Sequence, residues 1–178
     1  AGNLQNQINA IRADLDNGVY STTAVLHLHT VPGAAVTLTF GNVTLSATAN
    51  AQGLADLYPN KLGTWTASVH TSNGTYTGTV DVTYIGIFDA SLPTLQNMKW
   101  ADINAVGAAG AASAIFKRGD KKTVTLTTGE VITLRLEDFN HDDRSSGGKA
   151  PMTFMMVDGL NATAAMNSSN TNAGGWNS

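Results

Sequence analysis

The chain of 178 residues carries a net charge of −3, is 42% hydrophobic and 13% charged, and contains no cysteine. Disulfides, thiolate metal sites and a cysteine nucleophile are therefore excluded. With no basic field to neutralise phosphates, nucleic acid is not an expected partner. The charge falls well short of the roughly 25% of an average globular chain. Thr, Ser, Asn, Gly and Ala take its place, a mix suited to exposed sheets and turns.

The N-terminal stretch "AGNLQNQINAIRADL" places Leu4, Ile8, Ile11 and Leu15 at spacings of 4, 3 and 4, an apolar stripe along one helix face. Asn17-Gly18 ends it, because either residue accepts the left-handed cap conformation. Two heptads are too short to hold together alone in water. The stripe therefore packs on its own domain or on sister chains; in the second case these four residues are the oligomer contact and a trimer is expected. The stretch lacks the basic and apolar regions of a signal peptide. No apolar run in the chain reaches the roughly 18 residues of a membrane span, so no membrane insertion is expected.

From Thr22 the period changes to two. In "TAVLHLHTV", Val25, His27, His29 and Val31 face one side and Leu26 and Leu28 the other. "AVTLTF" and "VTLSAT" flank a Gly41-Asn42 hairpin turn, and "AQGLADLYP" reads as a turn and a short strand. "GTWTASVH" and "TYTGTVDVTYIG" flank Ser72-Asn73-Gly74, another tight turn. Short strands in such close succession predict a small antiparallel sandwich. "IFDASLPTLQNMKW" reads as a linker broken by Pro93. In "WADINAVGAAGAASAIF" a helix can place Trp100, Ile103, Val106 or Gly107, and Gly110 or Ala111 on one face. "KTVTLTTGEVITLRLEDF" is two strands around Thr128-Gly129, and "MTFMM" is one more.

The stretch "PGAAVTLTFGNVTLSATANAQGLADLYPNKLGTWTASV" resembles carboxypeptidase-regulatory-like and related immunoglobulin-like modules, which implies a spacer or binding module without catalysis. The motifs "WADINAVGAAGAASAIFKRGDKKTVTL", "EVITLRLEDFNHDD", "GGKAPMTFMM" and "AMNSSNTNAGGWNS", in this order, resemble an uncharacterised domain family of phage tail and fibre proteins and of related surface proteins of Gram-positive bacteria. That family has no established activity, so the resemblance implies a setting rather than a mechanism. It also implies a chain that continues past the Gly-Gly-Trp, and hence a second domain incomplete at Ser178.

Four local patterns are candidate sites. In "FNHDDRSSGG", His141, Asp142 and Asp143 are adjacent, so on extended backbone their side chains diverge. A polar turn is the plain expectation, with Asn140 and Asp142 bonded to backbone and His141 the more buried member; a divalent-ion site is the alternative. Arg118-Gly119-Asp120 in "KRGD" reads as a strand-leading turn. His27 and His29 share a strand face and read as ordinary surface or interface histidines; as metal ligands they number only two per chain, so such a site requires oligomerisation. Trp176, among Asn and Ser, is a candidate glycan contact or a core residue. No nucleophile motif or phosphate-binding loop is present.

The expected fold is mainly β: a short N-terminal helix over 1–18, an immunoglobulin-like antiparallel sandwich over 22–86, a linker over 87–98, and a second β-rich α+β domain over 99–178. The expected role is a non-enzymatic phage virion protein of tail-fibre or baseplate type, without cofactor. Its expected partners are other virion proteins, itself, and a host-surface glycan or protein. A bacterial cell-surface adhesin module is the alternative, and a glycan hydrolase the third reading.

Overall fold

The computed structural model describes residues 4–9 and 23–161, and residues 4–9 are helical. The chain is mainly β, with three sheets and short helices. Strands β1 (Val25–His29), β4 (Leu54–Leu57) and β7 (Ile87–Ser91) form a three-stranded sheet in the order β4-β1-β7. Strands β2 (Ala35–Phe40), β3 (Val43–Thr48), β5 (Gly63–Thr71) and β6 (Gly74–Val82) form a four-stranded antiparallel sheet in the order β3-β2-β5-β6.

Alternation along the strands explains why the two sheets pack face to face. Leu26, Leu28, Ala55 and Leu57 point inward from the first sheet. Val36, Leu38, Trp65, Ala67, Val69, Val80 and Val82 point inward from the second. All belong to one buried cluster. Trp65 is fully buried, so its indole N–H needs a partner; it donates to the Lys61 carbonyl at 3.0 Å.

Two expectations change here. The stretch 87–98, read as a linker, contains β7, which runs parallel to β1 in the register Val25↔Ile87 to His29↔Ser91. The sandwich is therefore not wholly antiparallel and extends to Ser91. Val31 does not share the face of His27 and His29: β1 ends at His29 and the chain turns Val31 into the core.

Beyond Pro93 come helix α1 (Trp100–Ala108), helix α2 (Ala112–Ile115), and an antiparallel sheet of β8 (Lys121–Thr125), β9 (Val131–Asp138) and β10 (Thr153–Met156) in the order β10-β9-β8. Helix α1 stops one turn before the sequence pattern suggests. Gly110, at φ +71, closes it, with the Ala111 N–H donating to the Val106 carbonyl and the Gly110 N–H to that of Gly107. This glycine cap returns the last carbonyls of the helix to hydrogen bonds. Ile103, Val106, Ile115, Phe116 and Leu136 join the same buried cluster as the sandwich residues.

Candidate functional site

The region after Pro93 is fastened to the sandwich by a buried carboxylate. Asp102 sits in the first turn of α1, where an acidic side chain complements the helix dipole. It is 2% exposed and reaches the β5–β6 hairpin. It accepts hydrogen bonds from Thr71 Oγ1 at 3.0 Å and Asn73 Nδ2 at 2.6 Å, and from the Tyr76 hydroxyl. The Tyr76 oxygen in turn accepts from the Lys99 N–H at 3.1 Å. Burial, and then the bond to Asp102, push the Tyr76 phenol above its ordinary pKa. The sequence pattern puts Trp100 on one face with Ile103 and Val106 or Gly107; Ile103, Val106 and Gly107 are buried, but Trp100 is 45% exposed and Asp102, outside the pattern, is buried with them.

Lys122 is a second buried polar group. Strand alternation puts it on the face of Val124, and a lysine on that face is a signal that sequence reading passed over. Its Nζ donates to the carbonyls of Leu95 at 3.3 Å, Gln96 at 3.1 Å and Met98 at 2.6 Å, so it ties down the segment leading into α1. Burial lowers its pKa from the usual lysine value.

The same ammonium lies 5.4 Å from the centre of the Trp100 ring, and Phe154 meets that ring edge-on at 5.7 Å. Trp100 is thereby braced while nearly half of it faces solvent. It opens on a recess of about 210 Å³ formed with Ile103, Asn104, Gly107, Pro151, Met152 and Phe154. The wall from the β9–β10 connection approaches α1 closely: a Cβ on Gly107 would lie 3.1 Å from Met152 Cε and 3.2 Å from Pro151 Cβ. A braced indole with an exposed surface can stack on the apolar side of a ring, and the exposed Asn104 amide, four residues on, can donate to and accept from hydroxyls.

The "FNHDDRSSGG" stretch shapes that wall, because it connects β9 to Pro151 and Met152. Asn140 takes a positive φ of 50, and its N–H donates to the Pro151 carbonyl at 3.3 Å. The Ala150 N–H donates to the Asp142 carbonyl at 2.8 Å, and Lys149 pairs with Asp143 at 2.7 Å. The details correct the sequence reading. His141 is the more exposed partner of the pair it forms with Asp142, 68% against 49% for the side chains. The Asp142 carboxylate accepts from the Thr153 hydroxyl and bonds the His141 ring at 2.9 Å, not backbone groups. The Thr153 bond and then the His141 bond hold the Asp142 carboxyl below the usual carboxylate range.

His27 and His29 lie on the outer face of the first sheet. In register, His27 stands between Asp56 of β4 and Asp89 of β7. Its ring bonds Asp56 at 2.6 Å, while His29 bonds Asp89 at 3.2 Å. Among the described residues no group of three or more His, Asp or Glu is gathered as a metal would need. In the "KRGD" turn, Asp120 folds back to accept from the Lys117 N–H at 2.9 Å, and Arg118 pairs with Asp138 at 2.5 Å. Leu4 and Ile8 are exposed on the helical residues 4–9. Ile11, Leu15 and Trp176 lie outside the described residues. Compared with family models, curated proteins and solved structures, the chain matches none.

Proposed function

We propose that the chain is a non-enzymatic structural subunit of a phage virion appendage, of tail-fibre or baseplate type, that carries a host-contacting surface. The junction at Asp102 supports this reading most. A sandwich and a second β-rich region share one core, and a buried carboxylate with Thr71, Asn73 and Tyr76 fixes one to the other. Such a connection transmits position and load without a hinge, which suits a component that must hold a binding surface out from a particle. The Trp100 recess is the contact this reading assigns to a host-surface glycan. The test is gold-labelled antibody against the chain, applied to micrographs of lysates from the bacterium that carries the gene. Gold on appendages of phage particles is the expected result. Gold on the walls of cells free of particles would instead favour the bacterial adhesin reading.

A further inference from the structure

The end of the sandwich where the chain enters β1 exposes an unusual amount of apolar surface. Tyr58, Leu62, Tyr84, Ile85 and Ile87 are each between 51% and 66% exposed. They are neighbours in space. Leu62 and Ile85 line one small recess with Ala24 and Pro59. The Ala24 N–H donates to the carbonyl of Pro59, the residue after Tyr58, and the Val25 N–H donates to that of Gly86. The Tyr84 ring lies against Gly86, and its hydroxyl donates to the Ile87 carbonyl at 3.2 Å. Contiguous exposed apolar patches mark interaction sites far more often than scattered single residues do.

We infer that this apolar end receives the N-terminal helical stripe of a second copy of the chain. Leu4 and Ile8 are one helical turn apart and are 67% and 42% exposed. Among the described residues, then, these two members of the stripe and the patch are both open. Contact between two stripes alone would leave the patch in water. A short amphipathic helix laid into an apolar surface by residues at i and i+4 is an established mode of recognition. Charge agrees in sign: Lys61, on the rim of the recess, has no acidic partner among the described residues, and the stretch that carries the stripe has Asp14 and Asp16 against a single Arg12. A contact of stripe to patch is heterologous, so it closes into a ring or propagates as a filament. Either outcome gives the N-terminal stripe a role that a two-heptad coil cannot fill alone.

The chain has no cysteine, so introduced thiols report position without background. Ile8→Cys and Ile85→Cys are made as separate chains, mixed, and oxidised with copper phenanthroline in air. The expected product is a disulfide-linked species of two chains in the mixture, absent when either variant is oxidised alone. Linkage of Ile8→Cys with itself would show stripe against stripe, and linkage of Ile85→Cys with itself would show patch against patch. A double variant that closes on itself at the mass of one chain would show docking within the chain. Each of these, or no linkage at all, overturns the inference. Both positions are exposed, and unchanged circular dichroism checks that the variants fold. Ile8→Asp and Ile85→Asp should each return the protein to single-chain mass in sedimentation. The result is independent of where the protein is found on a particle or cell, so it can fail without the functional proposal failing.

Discussion

Single side chains in this protein separate into those whose polar atoms are matched and those whose are not. Thr30 is fully buried, and its Oγ1 has no hydrogen-bond partner among the described residues. Removing an unmatched hydroxyl while keeping the branched shape relieves a desolvation cost. Thr30→Val should therefore raise the urea midpoint, with a gain of up to about 1 kcal/mol. Asp142 is the opposite case. Its folded pKa lies below its unfolded value, so its contribution is present above the ordinary carboxylate range and is lost as pH falls through the folded value. Thr153→Val should remove a share of that contribution, and the difference in melting temperature from the parent should shrink below about pH 4. His141→Ala should matter less than Thr153→Val, because the Thr153 bond is the larger cause of the shift. The polar turn at 139–148 is legible in the sequence from its Asn, Asp, Ser and Gly content. Which of its residues faces inward is not, because that depends on Thr153, which the chain returns only after the turn.

Among elements, the hairpins are the most readable, since each turn lies between the strands it joins. Gly41-Asn42, Ser72-Asn73 and the turn around Thr128-Gly129 connect β2 to β3, β5 to β6 and β8 to β9. Strand β7 is invisible for the complementary reason: its partner β1 lies at the other end of the sandwich sequence and runs parallel, so no turn announces the pairing. The recess around Trp100 is hidden too, because Phe154 and Met152 arrive from a strand and a loop far along the chain. Two glycines with nearly the same backbone show how much depends on surroundings. Gly33 at φ +73 has open space where a Cβ would go, whereas at Gly53, φ +74, a Cβ would fall 2.3 Å from the Thr30 carbonyl oxygen. Gly33→Ala should cost about 1–2 kcal/mol, the penalty of the left-handed conformation alone. Gly53→Ala should cost clearly more, because it must also push apart the ends of β1 and β4, which the Thr30 N–H bond to the Gly53 carbonyl at 2.7 Å holds together. Chemical denaturation of the two variants side by side decides this.

At the scale of the whole molecule, the single buried cluster and the Asp102 junction make the sandwich and the region after Pro93 unfold together. Calorimetry should give one transition for the parent. Asp102→Ala leaves the Tyr76 hydroxyl and the Asn73 amide without their acceptor, at about 1–3 kcal/mol for the buried Tyr76 donor and less for the half-buried Asn73. That variant should melt lower and in two steps, with the β8–β9–β10 sheet going first; a single sharp transition in it would mean the apolar contacts suffice for the coupling.

The parallel pairing of β1 with β7 bears on tension as well as on topology. The sandwich receives the chain at the start of β1 and releases it at the end of β7, and the two strands point the same way, side by side. Backbone bonds from the Val25 N–H to the Gly86 carbonyl and from the Leu92 N–H to the His29 carbonyl extend their ladder at both ends. A pull applied through the two ends therefore acts along the strands and loads the whole row of hydrogen bonds at once, as shear. A hairpin pulled from its open end would instead lose its bonds in succession, like a zip. Tension carried through the sandwich along the chain would therefore meet its greatest resistance at this seam.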